Sequence, residues 1–182
     1  MNIILASASP RRRELLTLAG IEYTVIPSEC EEILPDDITP ANAVEELARQ
    51  KAEDVFRIHT DSMIIAADTV VALGNTILGK PKNDDDAFSM LSSLSGKIHT
   101  VYTGVCIKTA EKEEIFSVAT DVEFYELTEK EICDYIATKE PCDKAGAYGI
   151  QGKGSLLVKG IRGDYFNVVG LPLAETVRRL KG

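Results

Sequence analysis

Apolar and polar positions alternate along this chain with two different periods, and the change of period marks out its elements. Asn2 to Ala6 is a short apolar run suited to a buried strand. Ser9 followed by Pro10 opens a helix over about 10–19, with a capping hydroxyl and a proline at the first helical position. Leu15, Leu16, Leu18 and Ala19 supply its apolar face, and Gly20 its stop. Tyr23 to Ile26 reads as a second strand, and the acidic stretch 28–39 as a loop. Thr39-Pro40 starts a long helix to about Arg57, on which Val44, Ala48, Lys51 and Val55 form one stripe.

The second half reads the same way. Met63 to Leu73 is a long apolar strand, turned by Gly74-Asn75 into Thr76 to Leu78. Asn83 caps a helix over about 84–94, which Gly96 ends. Strands over about 98–108 and 115–126 follow, joined by the charged turn Ala110 to Glu113. Thr128 and Glu131 form a capping box for a helix to about Thr138. Residues 139–154 are glycine-rich and loop-like. Leu156 to Val158 and Tyr165 to Val169 suggest a hairpin around Gly160 and Gly163, and Pro172 starts a terminal helix through Arg179. The pattern predicts an α/β fold with a mixed sheet, as one domain with a cleft.

Bulk composition narrows the partners. A chain of 182 residues suffices for one substantial core. Its net charge of −9 and pI near 4.8 argue against a nucleic-acid polymer as partner, because duplex binders carry a basic face. No apolar run approaches the roughly 20 residues of a membrane span. The first residues read as strand and charged helix, unlike a signal peptide, which makes the cytoplasm the expected compartment. Cys30, Cys106, Cys133 and Cys142 are widely spaced and read as reduced thiols, largely in or near the core. With only His59 and His99, a multi-histidine zinc site is not expected. Any metal should be a hard cation held by carboxylates and phosphate oxygens.

Several charges sit where simple patterning would not put them. Arg11, Arg12 and Arg13 crowd the first turn of the first helix, where each cation opposes a dipole effect worth roughly 0.3–1 kcal/mol. An anion bound among them resolves the conflict, since free amides at a helix start already favour one; the competing reading is a solvated basic patch. Asp68 interrupts an apolar strand, a costly place for a carboxylate unless it is paired, hydrogen-bonded or metal-bound. It is a candidate general base or metal ligand, against the alternative of an edge residue facing solvent. Lys51 breaks its apolar stripe, either snorkelling to the rim or reaching an anion. Lys80, in Gly79-Lys80-Pro81-Lys82, is a candidate phosphate contact.

Other charged and polar groups divide between site and scaffold. Asp84, Asp85 and Asp86 are best explained as first-turn acids complementing their helix dipole. One of Glu29, Glu31 and Glu32 is placed to join Asp68 around a divalent ion; a solvated loop is the competing view. Lys144 to Gly154 packs small residues around Gln151 and matches neither a dinucleotide fingerprint nor a Walker A loop. It suits close backbone approach to a flat ligand, with Gln151 reading polar edges.

Taken together, these blocks resemble the Maf family of nucleoside triphosphate pyrophosphatases over essentially the whole length. The resemblance rests on Leu5 to Arg12, Ala67-Asp68-Thr69, Gly79-Lys80-Pro81, Leu94-Ser95-Gly96, Lys144 to Gly152 and Val169 to Pro172. It implies an elongated, Maf/ITPase-like α/β fold: a mixed sheet flanked by helices, with two lobes around a deep central cleft spanning 1–182, often dimeric. It implies release of pyrophosphate from a nucleoside triphosphate with a divalent cation, Mg²⁺ or Mn²⁺. By the same resemblance Asp68 is the proton acceptor, and Arg11, Thr69 and Gln151 set base preference, in the pattern of the branch acting on dTTP and UTP.

The chemistry of the base is compatible with that assignment. Uracil and thymine show an acceptor–donor–acceptor edge, and one amide side chain pairs with O4 and N3–H. On this reading Asp68 and Glu32 hold the metal, while Ser7, Arg12, Arg13, Lys51 and Lys80 contact phosphates. Two rivals are a non-catalytic nucleotide-binding regulator linked to cell division and septum formation, and a phosphatase removing the γ-phosphate.

Overall fold

Met63–Leu73 (β3) is the spine of the molecule, because almost everything else is placed by pairing with it or packing on it. The computed structural model describes residues 1–181. Ile3–Leu5 (β1) runs parallel to β3, and the two-residue strand Thr24–Val25 (β2) runs parallel to β1. On the other side of β3 lie Ile98–Lys108 (β5), then Glu113–Phe124 (β6) and Val158–Arg162 (β7), all antiparallel. Thr76–Leu78 (β4) folds back on the end of β3 as a hairpin. The result is a seven-stranded mixed sheet in the order β2-β1-β3-β5-β6-β7, with β4 on β3.

Helices cover both faces. Pro10–Leu18 (α1) and Leu173–Lys181 (α6) share one core with Leu5, Ile65, Ala67 and Val105. Pro40–Phe56 (α2) lies on the opposite face, where Ala48, Ala52 and Val55 meet Ile4, Ile64, Ala66 and Cys106. Asp84–Leu94 (α3) and Glu129–Ile136 (α4) enclose a third core with Val101, Val122 and Phe124. The switch of faces at each step along β3 is the period-2 geometry of a strand. It sends Asp68 toward α2 and Thr69 toward α1.

Local chemistry accounts for most element ends. Thr39 and Asn83 accept hydrogen bonds from Asn42 and Asp86 amides, and Thr128 with Glu131 closes the capping box. Asp84, Asp85 and Asp86 occupy the first turn of α3, and the Asp86 carboxylate also accepts from the Lys82 amide.

Five expectations are corrected. Ser9 makes no side-chain cap; instead the Ser7 hydroxyl accepts from the Ser9 amide at 3.2 Å. Leu18 is exposed, whereas Leu15 and Leu16 carry the apolar face. The third long strand is Glu113–Phe124, two residues earlier than its pattern suggested. Tyr165–Val169 is a short helix (α5) and not the return strand of a hairpin: Asp164 caps the Phe166 amide, and Gly170 stops it at φ +129°. A five-residue run, aromatic and β-branched but for Asn167, has too few positions to show its period, and β6 already pairs with 158–162. Among the cysteines only Cys106 is buried; Cys133 and Cys142 are exposed, and all four are free.

Candidate active site

A gap in the sheet makes the cleft. β1 pairs with β3 only at 63–65, and β4 only at 71–73, on the same edge of β3. Between them the edge of β3 is bare, and Asp68, Thr69, Val70 and Val71 line a cleft of about 930 Å³. The loop after β1, the start of α1, the 79–80 loop and the 140–152 segment form its other walls. A cleft this size falls in the range that accepts small-molecule ligands.

On the α2 side, Lys51 Nζ lies 2.5 Å from Asp68 Oδ1 and 2.8 Å from Glu32 Oε1. The Asp68 and Lys51 side chains are 15% and 17% exposed, so this is a largely enclosed pair, while Glu32 is half exposed. Glu29 and Glu31 are exposed, and the Glu29 amide donates to Asp54. Asp68 lies on the bare stretch of the β3 edge, yet its side chain is enclosed and paired with Lys51, which removes the reading of a residue facing solvent. Lys51 does not snorkel free to the rim: its ammonium is held by the protein's own carboxylates inside the cleft lining.

The reach of Lys51 has a cause that the patterning did not reveal. Gly104 is the direct cross-strand partner of Asp68 on β5. A Cβ there would lie 2.3 Å from the Val44 carbonyl carbon and oxygen of α2. Only a residue without a side chain lets α2 lie this close to the sheet. The signal available in the sequence was a lone glycine inside an apolar strand.

On the α1 side, Arg12 is the organiser. Its guanidinium donates to Gly170 O at 2.8 Å, Ser7 Oγ at 3.2 Å and Thr69 Oγ1 at 3.1 Å. Thr69 shares a 2.9 Å hydrogen bond with Thr103, whose hydroxyl donates to Asn167 O. Burial pulls the Arg12 guanidinium below its usual range, with Asp68 opposing that shift, and an arginine keeps its charge at neutral pH. Arg12 thus sews β1, β3 and the α5–α6 turn together while facing the cleft.

The other predicted residues divide by location. Arg11 lines the cleft and approaches Asp143 at 3.8 Å. Ser7 lines it with a hydroxyl that accepts from Ser9 and Arg12. Lys80 and Gln151 line it with exposed side chains. Arg13 does not: it is exposed, outside the cleft lining, and donates to Ala8 O at 3.3 Å.

The glycine-rich segment is ordered as three 3₁₀ turns, Glu140–Asp143, Ala145–Ala147 and Gly152–Leu157. The Gly146 amide donates to Gly79 O at 3.0 Å, tying this wall to the Lys80 loop. Under it, His99 Nε2 and Tyr148 Oη share a buried 2.7 Å hydrogen bond. Burial lowers the His99 pKa to about 4 and raises that of Tyr148.

No group of three or more His, Cys, Asp or Glu side chains gathers to hold a metal among the described residues. Asp68 and Glu32 do converge on one cation, the Lys51 ammonium. Two carboxylates are an ordinary protein contribution to Mg²⁺, which keeps waters and takes substrate phosphate oxygens. The donor set fits such a cation if Lys51 gives up its place.

Comparison with known proteins gives the chain's relatives and its fold likeness. The chain is 54% identical to a Bacillus cereus protein named dTTP/UTP pyrophosphatase over 179 residues, covering 98% of this chain and 94% of that one. A Bacillus cytotoxicus protein of the same name is 54% identical over 178 residues, 98% and 93% of the two chains. The Staphylococcus aureus Ham1 structure shares the fold, with a TM-score of 0.51 and 17% identity over 69% of this chain and 73% of that one. The profile of the family described as Maf-like protein matches residues 2–182. With that match spanning nearly the whole chain, and with relatives 54% identical over 98% of it, the chain belongs to the Maf-like protein family.

Proposed function

We propose that this protein hydrolyses dTTP and UTP to the nucleoside monophosphate and pyrophosphate. The observation that carries the reading is Asp68, an enclosed carboxylate on the bare stretch of the β3 edge, lining the same cleft as Arg11 and Arg12 of the α1 start. The named activity of the 54%-identical relatives supports the same substrates.

In this reading water attacks the α-phosphorus, and Asp68 takes its proton. The new P–O bond forms as the bond to the bridging oxygen breaks, and pyrophosphate leaves. Arg12, Lys51 and Lys80 neutralise charge on the leaving group, as positioned cations do in phosphoryl transfer. The Ser7 hydroxyl accepts two hydrogen bonds and keeps its proton for a phosphate oxygen. Arg13 is left out of the phosphate set because it lies outside the cleft lining. Asp68 and Glu32 would hold a Mg²⁺ or Mn²⁺ ion, which when bound supplies further charge neutralisation to the triphosphate. Arg11, Thr69 and Gln151 select the base, and Gln151 supports this best because its amide is unengaged among the described residues and its exposed side chain lines the cleft.

The whole chain acts as one unit with two lobes about this cleft; a homodimer in the cytoplasm belongs to the same proposal and is checked by light scattering. A non-catalytic nucleotide sensor is not favoured, because a carboxylate beside a phosphate site repels its ligand unless it has chemical work or a metal to hold. The test is pyrophosphate release from dTTP and UTP with Mg²⁺, comparing wild type with Asp68→Asn. A fall of about 10²–10⁴ is the expected scale for a lost general base. Equal rates would remove Asp68 from the mechanism, and orthophosphate as first product would replace the reaction with γ-phosphate removal.

A further inference from the structure

Gln151 has an unusual mounting. Its side chain makes no hydrogen bond to the protein among the described residues, so the direction of its amide is set by the backbone alone. That backbone runs from Gly149 through Gly152, at φ +63°, to Gly154. Glycine-rich backbone of this kind has little stiffness of its own.

Glu140 supplies the stiffness. Its Oε1 accepts from the Lys153 amide at 3.2 Å and its Oε2 from the Gly154 amide at 3.3 Å. One carboxylate therefore clamps both residues that follow Gly152. A Cβ at Gly152 would come within 3.0 Å of Glu140 Oε1, which shows how closely the carboxylate sits against the loop. The near side is held by Tyr135, which neighbours Glu140 and whose Oη accepts from the Gly149 amide at 3.1 Å. Glu140 is itself anchored, because Lys144 Nζ donates to its backbone oxygen at 2.6 Å. Carboxylate-to-amide hydrogen bonds are charge-assisted and roughly twice as strong as neutral ones.

We infer that Glu140 is the positioning residue for base selection: by clamping the Lys153 and Gly154 amides it aims the Gln151 side chain at the pyrimidine edge. This rests on the reading of Gln151 as the base-selecting side chain. Glu140 lines the cleft at a distance along the chain from Asp68, and no hydrogen bond links it to Asp68, Lys51 or Arg12. Its loss should therefore change which base is accepted far more than how fast the anhydride breaks.

The experiment measures kcat and KM for pyrophosphate release from UTP and CTP with wild type, Glu140→Ala, Glu140→Gln, Gln151→Ala and the Glu140→Ala/Gln151→Ala double variant. The UTP-over-CTP ratio of kcat/KM should fall about tenfold in Glu140→Ala, mostly through KM for UTP, and less in Glu140→Gln, which keeps one acceptor oxygen. The double variant should discriminate no worse than Gln151→Ala, because both changes act on one contact. Amide exchange at Lys153 and Gly154 should quicken in Glu140→Gln, a readout that does not need Glu140→Ala to fold. A lost ratio in Gln151→Ala with an unchanged one in both Glu140 variants would overturn the inference and leave the Gln151 reading standing. An unchanged ratio in Gln151→Ala would remove that reading and the inference with it. Equal losses on UTP and CTP would make Glu140 a general structural residue and overturn the inference.

Discussion

At the Asp68 end of the cleft, side chains hold one another; at the Gln151 end, side chains hold backbone. Lys51 bridges Asp68 and Glu32, and Arg12 binds Ser7, Thr69 and Gly170 from the opposite face of the same strand. Asp68, Thr69, Arg12 and Lys51 stand on β3, α1 and α2, which pack into buried cores. Around Gln151 the elements are 3₁₀ turns with positive φ at Lys139, Gly146, Ala147 and Gly152, tied down by Glu140 and Tyr135. Breaking an anhydride demands charges fixed to within a fraction of an ångström, which rigid elements supply. Reading a flat base requires backbone to come close to it, which glycine permits and a regular helix does not.

The most severe way to break the contrast is Lys51→Met. It should lower kcat/KM for pyrophosphate release by about 10²–10³, a scale typical for a lost charge-stabilising donor, and by the same factor for UTP and CTP. Nucleotide-free Lys51→Met should also bind Mn²⁺ more tightly than wild type in a spin-resonance titration, since the acidic pair loses its resident cation. Unchanged Mn²⁺ affinity would mean that Lys51 and the metal do not compete.

His99 probes the layer beneath the reading end. The unfolded chain protonates this imidazole near pH 6.5, whereas the folded chain resists until about 4 because burial disfavours the charge. The unfolded state binds more protons in that window, so stability rises with pH across it. Acidification from about 6.5 to 4 should remove on the order of 3 kcal/mol through this group alone. Urea unfolding of wild type and His99→Gln at several pH values measures it; parallel curves would refute the assignment.

Gly104→Ala tests the close approach of α2 behind the chemistry end. Overpacking of this kind costs about 1–3 kcal/mol, seen as a lower melting temperature, and pushes Lys51 off Asp68. A variant with wild-type stability and rate would show that α2 yields without cost. The smallest effect belongs to Arg13→Ala, which should leave kcat/KM within about twofold because surface changes away from a site rarely exceed about 0.5 kcal/mol. A tenfold loss would bring Arg13 back to the phosphates.

The sequence by itself determined where most elements lie and which residues are candidates for the chemistry. Capping residues, Pro and Gly placed α1 to α4 and the β3–β4 hairpin within a residue or two, because those signals act within a few positions. The misfit of Asp68, Lys51 and the arginines with their surroundings was visible for the same reason. What only the tertiary structure decided is how those charges are shared out. Arg11, Arg12 and Arg13 are indistinguishable along the chain, yet a helix turns each by about 100° from the last, so one binds three partners, one lines the cleft and one faces away. Lys51 finds Asp68 across 17 residues only because Gly104, 36 residues further on, leaves α2 room to approach. Likewise, nothing local marks Glu140 as the clamp on residues 153 and 154; that role exists only once the chain folds back over 13 and 14 positions. Local rules carry no information about such distant pairings, which are set by the packing of whole elements.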